Sequence, residues 1–284
     1  MGANIGETYL RRLIVFYIPL FMFLAGMLFP FYWMLITSVK GDAELYNAQS
    51  VPFLVTFNSM TSKHWIYLFK ETLFARWAFN TFLIATVSTA LSLIAGTLAG
   101  YSLSRLRFPG SSTLGISIFV TYLVPPTLLF IPLADVVSDL GLYDTPWALI
   151  LTYPTFLVPF STWLLMGYFK TIPKELEECA RIDGATRLQA MFKVVLPLGL
   201  PGLLSAGIFS FTLSWNEFLY ALVFISSPTN KTIPVGVVSE LIKGDVFFWG
   251  SLMAGALFGS VPVAIVYSFF VENYVSGITG AVKG

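Results

Sequence analysis

Six long stretches of this chain contain no charged side chain, and they constrain the fold more than any other feature of the sequence. They cover residues 13–39, 77–104, 108–134, 145–169, 194–216 and 246–271. Each is longer than the roughly 20 apolar residues that carry an α-helix across a bilayer. Backbone groups inside lipid must be satisfied within the segment, which favours helices, and the alternating pattern of a membrane barrel is absent from the sequence. We therefore predict an all-α integral membrane protein.

These runs predict six transmembrane helices in a single domain covering residues 1–284. Arg11 and Arg12 precede the first run and should hold the N-terminus in the cytoplasm, because positively charged flanks favour that side. With six spans the C-terminus is then cytoplasmic as well. The first run is too long for the apolar part of a cleaved signal peptide. The predicted spans are 13–38, 77–103, 111–134, 146–169, 198–225 and 250–272.

Charge is concentrated in one segment, residues 170–196, which this orientation places in the cytoplasm; we call it the charged loop. Nine charged side chains lie between Lys170 and Lys193, both included. Amphipathic helices that lie on a lipid surface usually have a strongly basic face. Acidic and basic residues nearly balance in the charged loop. A protein partner is therefore favoured over a lipid surface.

The residue pattern of the charged loop predicts two helices separated by a break. Thr171 is placed to cap the first helix, and Gly184 is placed to end it, because glycine adopts a left-handed backbone at little cost. Thr186 and Gln189 form a capping-box pattern at the start of the second helix. Three acids suit the positive end of the first helix, namely Glu175, Glu177 and Glu178. The second helix has one apolar face, formed by Leu188, Met191, Phe192 and Val195.

No pattern in the sequence predicts catalysis by this chain. The loop G-x-x-x-x-G-K-[ST], which binds ATP phosphates, is missing. His64 is the one histidine and Cys179 the one cysteine, so neither a metal-binding cluster nor an internal disulfide is predicted. The net charge of +1 gives no indication of nucleic-acid binding. We expect a non-enzymatic chain with no metal site and no cofactor of its own.

One carboxylate, Glu217, lies inside a predicted span, where an ionisable group is expensive. It either lines a cavity, with Asn216 and Tyr220 nearby, or pairs with a neighbouring helix or subunit. Aromatic residues make up 17% of the chain, but membrane proteins also use them as interfacial belts and apolar filling. The aromatic content therefore does not identify a substrate. The candidate translocation-pathway residues are Trp215, Asn216, Glu217 and Tyr220.

The charged loop resembles the cytoplasmic EAA loop of ABC-importer membrane subunits. The core of that motif is E-A-A, three residues, then G, followed later by I-x-L-P. Here cysteine replaces the first alanine and valine replaces the isoleucine, and both are small apolar changes. The matching residues are Glu178, Cys179 and Ala180, then Asp183, Gly184 and Ala185, and finally Val195, Leu196 and Pro197.

The resemblance extends over almost the whole chain. Five segments, in the right order, are similar to the carbohydrate-importer branch of that family. They match its second permease subunit, of the maltose and glycerol-phosphate type. The segments are GYSLSRLRFPG, LGLYDTPWALIL, IPKELEECARIDGA, WNEFLYAL and YVSGITGAVKG.

The resemblance implies a permease subunit in a bacterial inner membrane, paired with a homologous permease. It also implies two ATP-binding subunits, which hold ATP and Mg, and an extracytoplasmic solute-binding protein that delivers a carbohydrate. In that family the EAA loop is a pair of coupling helices seated on the ATPase, and the C-terminal tail reaches between the two ATPase subunits. The implied coupling residues are Glu178, Ala180, Asp183, Gly184 and Ala185. The implied tail contacts, within residues 275–284, are Gly277, Thr279, Gly280 and Lys283.

A secondary-active solute transporter is the alternative class. Repeat symmetry and several ionisable residues inside the membrane would favour it. The sequence contains neither clearly, and this class does not account for the charged loop. The sugar, polyol or sugar phosphate carried is not identified by the sequence.

Overall fold

The computed structural model describes the backbone of residues 11–47, 49–106 and 108–282, and side chains in these ranges up to residue 268. Helices dominate it. From the N-terminus they are α1 (Leu13–Val39), α2 (Asp42–Leu45), α3 (Lys63–Lys70), α4 (Phe74–Arg105), α5 (Ser111–Leu123), α6 (Pro126–Asp139), α7 (Pro146–Thr152) and α8 (Pro154–Thr171). They continue with α9 (Lys174–Ile182), α10 (Arg187–Leu198), α11 (Leu200–Trp215), α12 (Leu219–Phe224) and α13 (Ile233–Leu241); then come the strands β1 (Ile242–Lys243) and β2 (Val246–Phe247), and finally α14 (Trp249–Val282).

Four segments of the described chain are long and apolar enough to cross a membrane as they stand. Two further segments pass the same test only as bent pairs. Helices α5 and α6 meet at 94°, and α10 and α11 meet at 76°. The predicted number of six spans therefore holds if each bent pair is one span. The four unbent segments are Leu13–Val39, Phe74–Arg105, Pro146–Thr171 and Trp249–Ser268.

The break between α5 and α6 lies at Pro125 and Pro126. Val124 is extended, with ψ of 122°, and Pro125 directly precedes the first residue of α6. A proline ring disfavours helical backbone in the residue before it, so two successive prolines stop α5 and begin α6. The sharp bend follows from these two residues.

The predicted span over 198–225 is not one continuous helix. Helix α11 ends at Trp215, and residues 216–218 are not helical before α12 begins at Leu219. At the other end, Gly199 separates α10 from α11 and packs so closely that a β-carbon there would lie 2.8 Å from Cε1 of Phe169. The apolar composition of residues 198–225 indicated a membrane segment, but composition does not indicate where the backbone bends.

The chain divides into two compact units. The larger comprises residues 73–236 together with α14 from Gly259 onward. Its helices α4 and α8 pack closely because Gly96 and Gly100 leave room for the backbone of α8. A β-carbon on Gly96 would lie 2.7 Å from Cβ of Ser161, and one on Gly100 would lie 3.1 Å from the amide nitrogen of Met166. Small residues four apart allow such an approach.

Two apolar clusters fill this larger unit. The first joins α4, α6, α7, α8, α12 and α13, and its largest fully buried side chains are Ile84, Leu149, Tyr153, Leu157, Tyr220 and Phe224. The second joins the end of α4 to α8, α10 and α11, and includes Tyr101, Leu165, Phe169, Met191 and Val195. Ile172 also belongs to this second cluster, which therefore packs against residues near both ends of the charged loop.

The smaller unit comprises residues up to 72 together with 237–258. Within it α3 buries Leu68 and His64, and the His64 ring lies 2.9 Å from the carbonyl oxygen of Lys40. The side chains of the most apolar window of α1 are all accessible in the isolated chain. His64 is therefore held by a backbone contact inside this unit.

Candidate functional site

The charged loop folds as the predicted helix, break and helix. Helix α9 ends at Ile182, and Gly184 adopts φ of +93°, as its predicted capping role requires. The amide of Ala185 donates to the carbonyl of Ala180 at 3.0 Å, and the amide of Gly184 donates to the carbonyl of Arg181 at 3.1 Å. This pair of bonds is a Schellman motif, which satisfies carbonyl groups at the end of α9.

The start of α10 carries the predicted capping box. The amide of Gln189 donates to Oγ1 of Thr186 at 3.3 Å, and the amide of Thr186 donates to Oε1 of Gln189 at 2.8 Å. The predicted cap at Thr171 is wrong, because its hydroxyl donates to the carbonyl of Tyr168 at the end of α8. Ile172 is extended and precedes a proline, so α9 begins only at Lys174.

The predicted apolar face of α10 is buried on one side and exposed on the other. Met191 and Val195 are buried in the second apolar cluster. Leu188 and Phe192 are 63% and 60% exposed, and Ile182, just before the break, is 85% exposed. The charged loop therefore presents three large apolar side chains to its surroundings.

The five implied coupling residues lie together around this break. Glu178, Asp183 and Gly184 are exposed, and Ala180 and Ala185 are partly buried. Their backbone is held by the Schellman motif and the capping box. The turn is thus a defined surface feature, and its role as a contact site stays a prediction.

Sequence reasoning missed the burial and the contacts of Glu177, which it treated only as a favourable charge near a helix start. The side chain is buried, and its Oε1 accepts a hydrogen bond from the hydroxyl of Tyr101 at 2.6 Å. Its Oε2 lies 3.8 Å from Nε of Arg105. Tyr101 and Arg105 are one helical turn apart in the segment GYSLSRLRFPG, and that spacing of an aromatic hydroxyl and a cation was the available signal.

A second polar cluster surrounds Glu217 at the break between α11 and α12. Its Oε1 accepts from the amide of Tyr220 at 2.8 Å, and its Oε2 accepts from the amide of Ala221 at 3.1 Å. The hydroxyl of Tyr153, at the start of α8, donates to Oε2 at 3.0 Å. Glu217 therefore satisfies the first amides of α12 and pairs with a neighbouring helix, which is one of the two alternatives that the sequence left open.

The other candidate pathway residues do not converge on an open cavity within the described chain. Trp215 is 5% exposed and donates from Nε1 to the carbonyl of Gly259 at 2.9 Å. Tyr220 is fully buried, and its hydroxyl donates to the carbonyl of Pro126. Asn216 is exposed, and its amide donates to the carbonyl of Thr212. Of the four candidates, Asn216 is the one whose residue is exposed, while Glu217 is partly buried.

A third polar cluster joins two non-helical segments through Asp144. Its Oδ1 accepts from the amides of Ser226 and Ser227 at 2.9 and 2.8 Å, its Oδ2 accepts from the hydroxyl of Ser227, and its carbonyl accepts from the side-chain amide of Asn230. Partial burial acts to raise the pKa of this carboxyl, but the hydrogen bonds from Ser227, Ser226 and Asn230 outweigh it and lower the pKa. The cluster fixes residue 144 against residues 226–230.

The C-terminal tail is described only in part. The backbone of α14 is helical as far as Val282, so Gly277, Thr279 and Gly280 lie in a helix. Lys283 lies outside the described residues. The tail contacts implied by the resemblance therefore stay a prediction.

Comparison with known proteins identifies similar membrane transport proteins both by sequence and by fold. The family described as "Binding-protein-dependent transport system inner membrane component" matches residues 92–279. The inner membrane ABC transporter permease protein YcjP of Escherichia coli is 38% identical, over 95% of this chain and 96% of that protein. The sulfoquinovosyl glycerol transport system permease protein SmoH of Agrobacterium fabrum is 39% identical, over 90% and 89%. The trehalose/maltose transport system permease protein MalG of Thermococcus litoralis is 33% identical, over 90% and 92%.

A solved bacterial ABC transporter involved in import of the acidic polysaccharide alginate superposes with a TM-score of 0.78. The superposition covers 96% of this chain and 99% of that chain, at 22% sequence identity. At this identity the likeness establishes the fold alone. That fold is a helical membrane fold found in an ABC importer.

Proposed function

Because this chain belongs to the family of binding-protein-dependent transport system inner membrane components, we propose that it is a permease subunit of an ATP-driven carbohydrate importer. Its relatives in Agrobacterium and Thermococcus are named for the transport of a sulfoquinovosyl glycerol and of trehalose or maltose. All of these solutes are sugars or glycosides. The chain contributes half of a membrane pathway, and a homologous permease contributes the other half.

The observation that carries the coupling proposal is the exposed apolar surface of the charged loop. Ile182, Leu188 and Phe192 are 85%, 63% and 60% exposed on a segment otherwise rich in charge. Exposed apolar side chains rimmed by polar residues are typical of protein interaction sites. In this proposal a cytoplasmic ATPase covers them, and Glu178, Ala180, Asp183, Gly184 and Ala185 form the rest of the contact.

The rigid turn suits the transmission of force. A Schellman motif and a capping box fix the angle between α9 and α10 on either side of Gly184. When the two ATPase subunits close, they push the charged loop and turn the attached spans from inward-open to outward-open. Both chain termini are cytoplasmic in this arrangement, and residues 275–284 reach between the ATPase subunits.

The break at residues 216–218 supports a pathway beside Asn216. Non-helical backbone at membrane depth is tolerated only where it is buried in protein or lines a water-filled cavity. Asn216 is the exposed member of the candidate set, and Glu217 stabilises the break from within. Substrate delivered by an extracytoplasmic binding protein would pass Asn216 at the interface with the partner permease, in a bacterial inner membrane.

The test uses the complex purified through a tag on this chain and reconstituted with its solute-binding protein. ATP hydrolysis is recorded against a panel of sugars, polyols, sugar phosphates and amino acids. Stimulation by one carbohydrate class is the expected result. A preparation without associated ATPase activity would favour a secondary transporter, and stimulation by amino acids alone would remove the carbohydrate assignment.

A further inference from the structure

Helix α9 is attached to the rest of its unit through a single buried side chain. Of its nine residues, all of them described, only Glu177 is buried. Leu176 is 44% exposed, and Ile182 and Cys179 are also exposed. The second helix of the charged loop is attached differently, because Met191 and Val195 pack into an apolar cluster. Apolar packing is non-directional, whereas the contact of Glu177 is polar and directional.

Glu177 contacts the last turns of α4 at Tyr101 and Arg105. The Tyr101 hydroxyl donates to Oε1 of Glu177 at 2.6 Å, a fully formed hydrogen bond. Nη2 of Arg105 donates to the carbonyl of Ile172 at 2.8 Å, just before α9 begins. The end of α4 therefore contacts both the start of the charged loop and the inner side of α9.

Arg105 is under-satisfied in this arrangement. Its side chain is 2% exposed, and neither Nε nor Nη1 has a hydrogen-bond partner among the described residues. The 3.8 Å from Nε to Oε2 of Glu177 is about 1 Å longer than a charge-assisted hydrogen bond, which measures roughly 2.7–2.9 Å. Buried guanidinium donors without partners are costly. A small displacement of α9 toward α4 would bring Oε2 of Glu177 within hydrogen-bond distance of Nε. The second hydrogen of Nη2, which lies on the same side of the guanidinium as the Nε hydrogen, could then donate to the same carboxylate.

We propose that Glu177 is a positioning residue, and that Arg105 and Glu177 close into a bidentate pair when α9 is pushed toward α4. This inference rests on the proposed function, since the ATPase supplies the push. Closure of the pair moves α9 and α4 as one body, so that force on the charged loop reaches α4 directly. Along the chain, the charged loop is connected only to α8 at its start and, through its own second helix α10, to α11 at its end.

The first experiment compares solute transported per ATP hydrolysed in the reconstituted complex. Glu177→Gln keeps an acceptor for Tyr101 but removes the charge that Arg105 needs, and we expect the ratio to fall about fivefold or more. Glu175→Gln removes an exposed acid from the same helix and should keep the original ratio. An unchanged ratio for Glu177→Gln in an active complex would overturn the inference.

Two further measurements test whether Arg105 and Glu177 form a bidentate pair. A bidentate contact needs the planar guanidinium, so Arg105→Lys should lower the ratio as Glu177→Gln does, whereas a simple charge contact would tolerate lysine. In a double-mutant cycle with Arg105→Gln, the two losses should be non-additive, because one interaction is removed twice. Additive losses, or full activity of Arg105→Lys, would contradict a closing pair.

The state dependence is tested through the thermal unfolding midpoint of the assembled complex. The coupling between Glu177→Gln and Arg105→Gln should be larger in the vanadate-trapped complex than in the nucleotide-free one. Equal coupling in both would show a static anchor. If Glu177→Gln does not assemble, Glu177→Asp replaces it in the cycle, since it keeps the charge but holds the carboxylate one carbon farther from Arg105. Absence of ATP-driven uptake by the unmodified complex would instead refute the proposed function, and this inference with it.

Discussion

At the scale of single residues, Gly184 has a conformational role that other side chains can test. Its φ is +93°, and a β-carbon there would have nothing within 4 Å in this chain, so within the chain a substitution acts through the backbone. We expect Gly184→Val to cost about 1–2 kcal/mol at the turn and to abolish ATP-driven uptake while the subunit still inserts. Gly184→Asn is the matched control, because asparagine tolerates a positive φ. Full uptake by the valine variant would refute the role of the bend.

Asp144 gives a residue-scale prediction that depends on pH. Its hydrogen bonds lower the pKa in the folded chain, so its contribution to stability is present above the unfolded pKa of about 3.9 and is lost as the pH falls through the folded value. Hydrogen exchange in residues 222–232, corrected for intrinsic rates, should therefore rise steeply at acidic pH. Asp144→Asn should raise exchange at neutral pH and flatten this dependence. Asp139→Asn, at an exposed carboxylate nearby, should leave the profile unchanged.

At the scale of elements, the close approach of α4 and α8 predicts a destabilising effect of a small change. A β-carbon on Gly96 would lie 2.7 Å from Cβ of Ser161, so Gly96→Ala must push the two helices apart. We expect it to lower stability by roughly 1–3 kcal/mol although alanine favours helix formation. Gly167→Ala in α8, where nothing lies within 4 Å of the added carbon, should be neutral or stabilising. The thermal midpoint in detergent measures both, and equal midpoints would contradict tight packing.

Elements were predictable from sequence where a local signal decided them. The charge-free runs located the long apolar helices, although not their bends. Gly184, Thr186 and Gln189 located the turn of the charged loop, because capping depends on neighbouring residues. The end of α11 was missed since Trp215 and Asn216 continue an uncharged run, and only the contacts of Glu217 with Tyr153 and with the amides of α12 make the break favourable. The burial of Glu177 was missed for the same reason, because its partners lie in a distant part of the chain.

At the scale of the whole molecule, the chain carries surfaces that it does not cover itself. The apolar window of α1 is fully accessible, and the charged loop exposes Ile182, Leu188 and Phe192. Lipid and a partner permease suit the first surface, and a cytoplasmic protein suits the second. The function proposed above assigns the ATPase two separate segments of this chain, the charged loop and the C-terminal tail, and each can be tested by itself.

Deletion of residues 277–284 tests whether the tail contributes to coupling independently of the charged loop. We expect the deletion to lower the ATPase activity stimulated by the binding protein and sugar, with assembly of the complex retained, because the charged loop still holds the ATPase. Lys283→Gln tests whether loss of one positive charge is enough to cause the effect of losing the whole segment.

The deletion combined with Ile182→Ala tests whether the two segments act independently. Contacts at independent sites have additive free energies, so the combined variant should multiply the two single effects on the stimulated rate. An unchanged rate after the deletion would exclude the tail from coupling, and a combined effect no larger than either alone would indicate that both segments act through one contact.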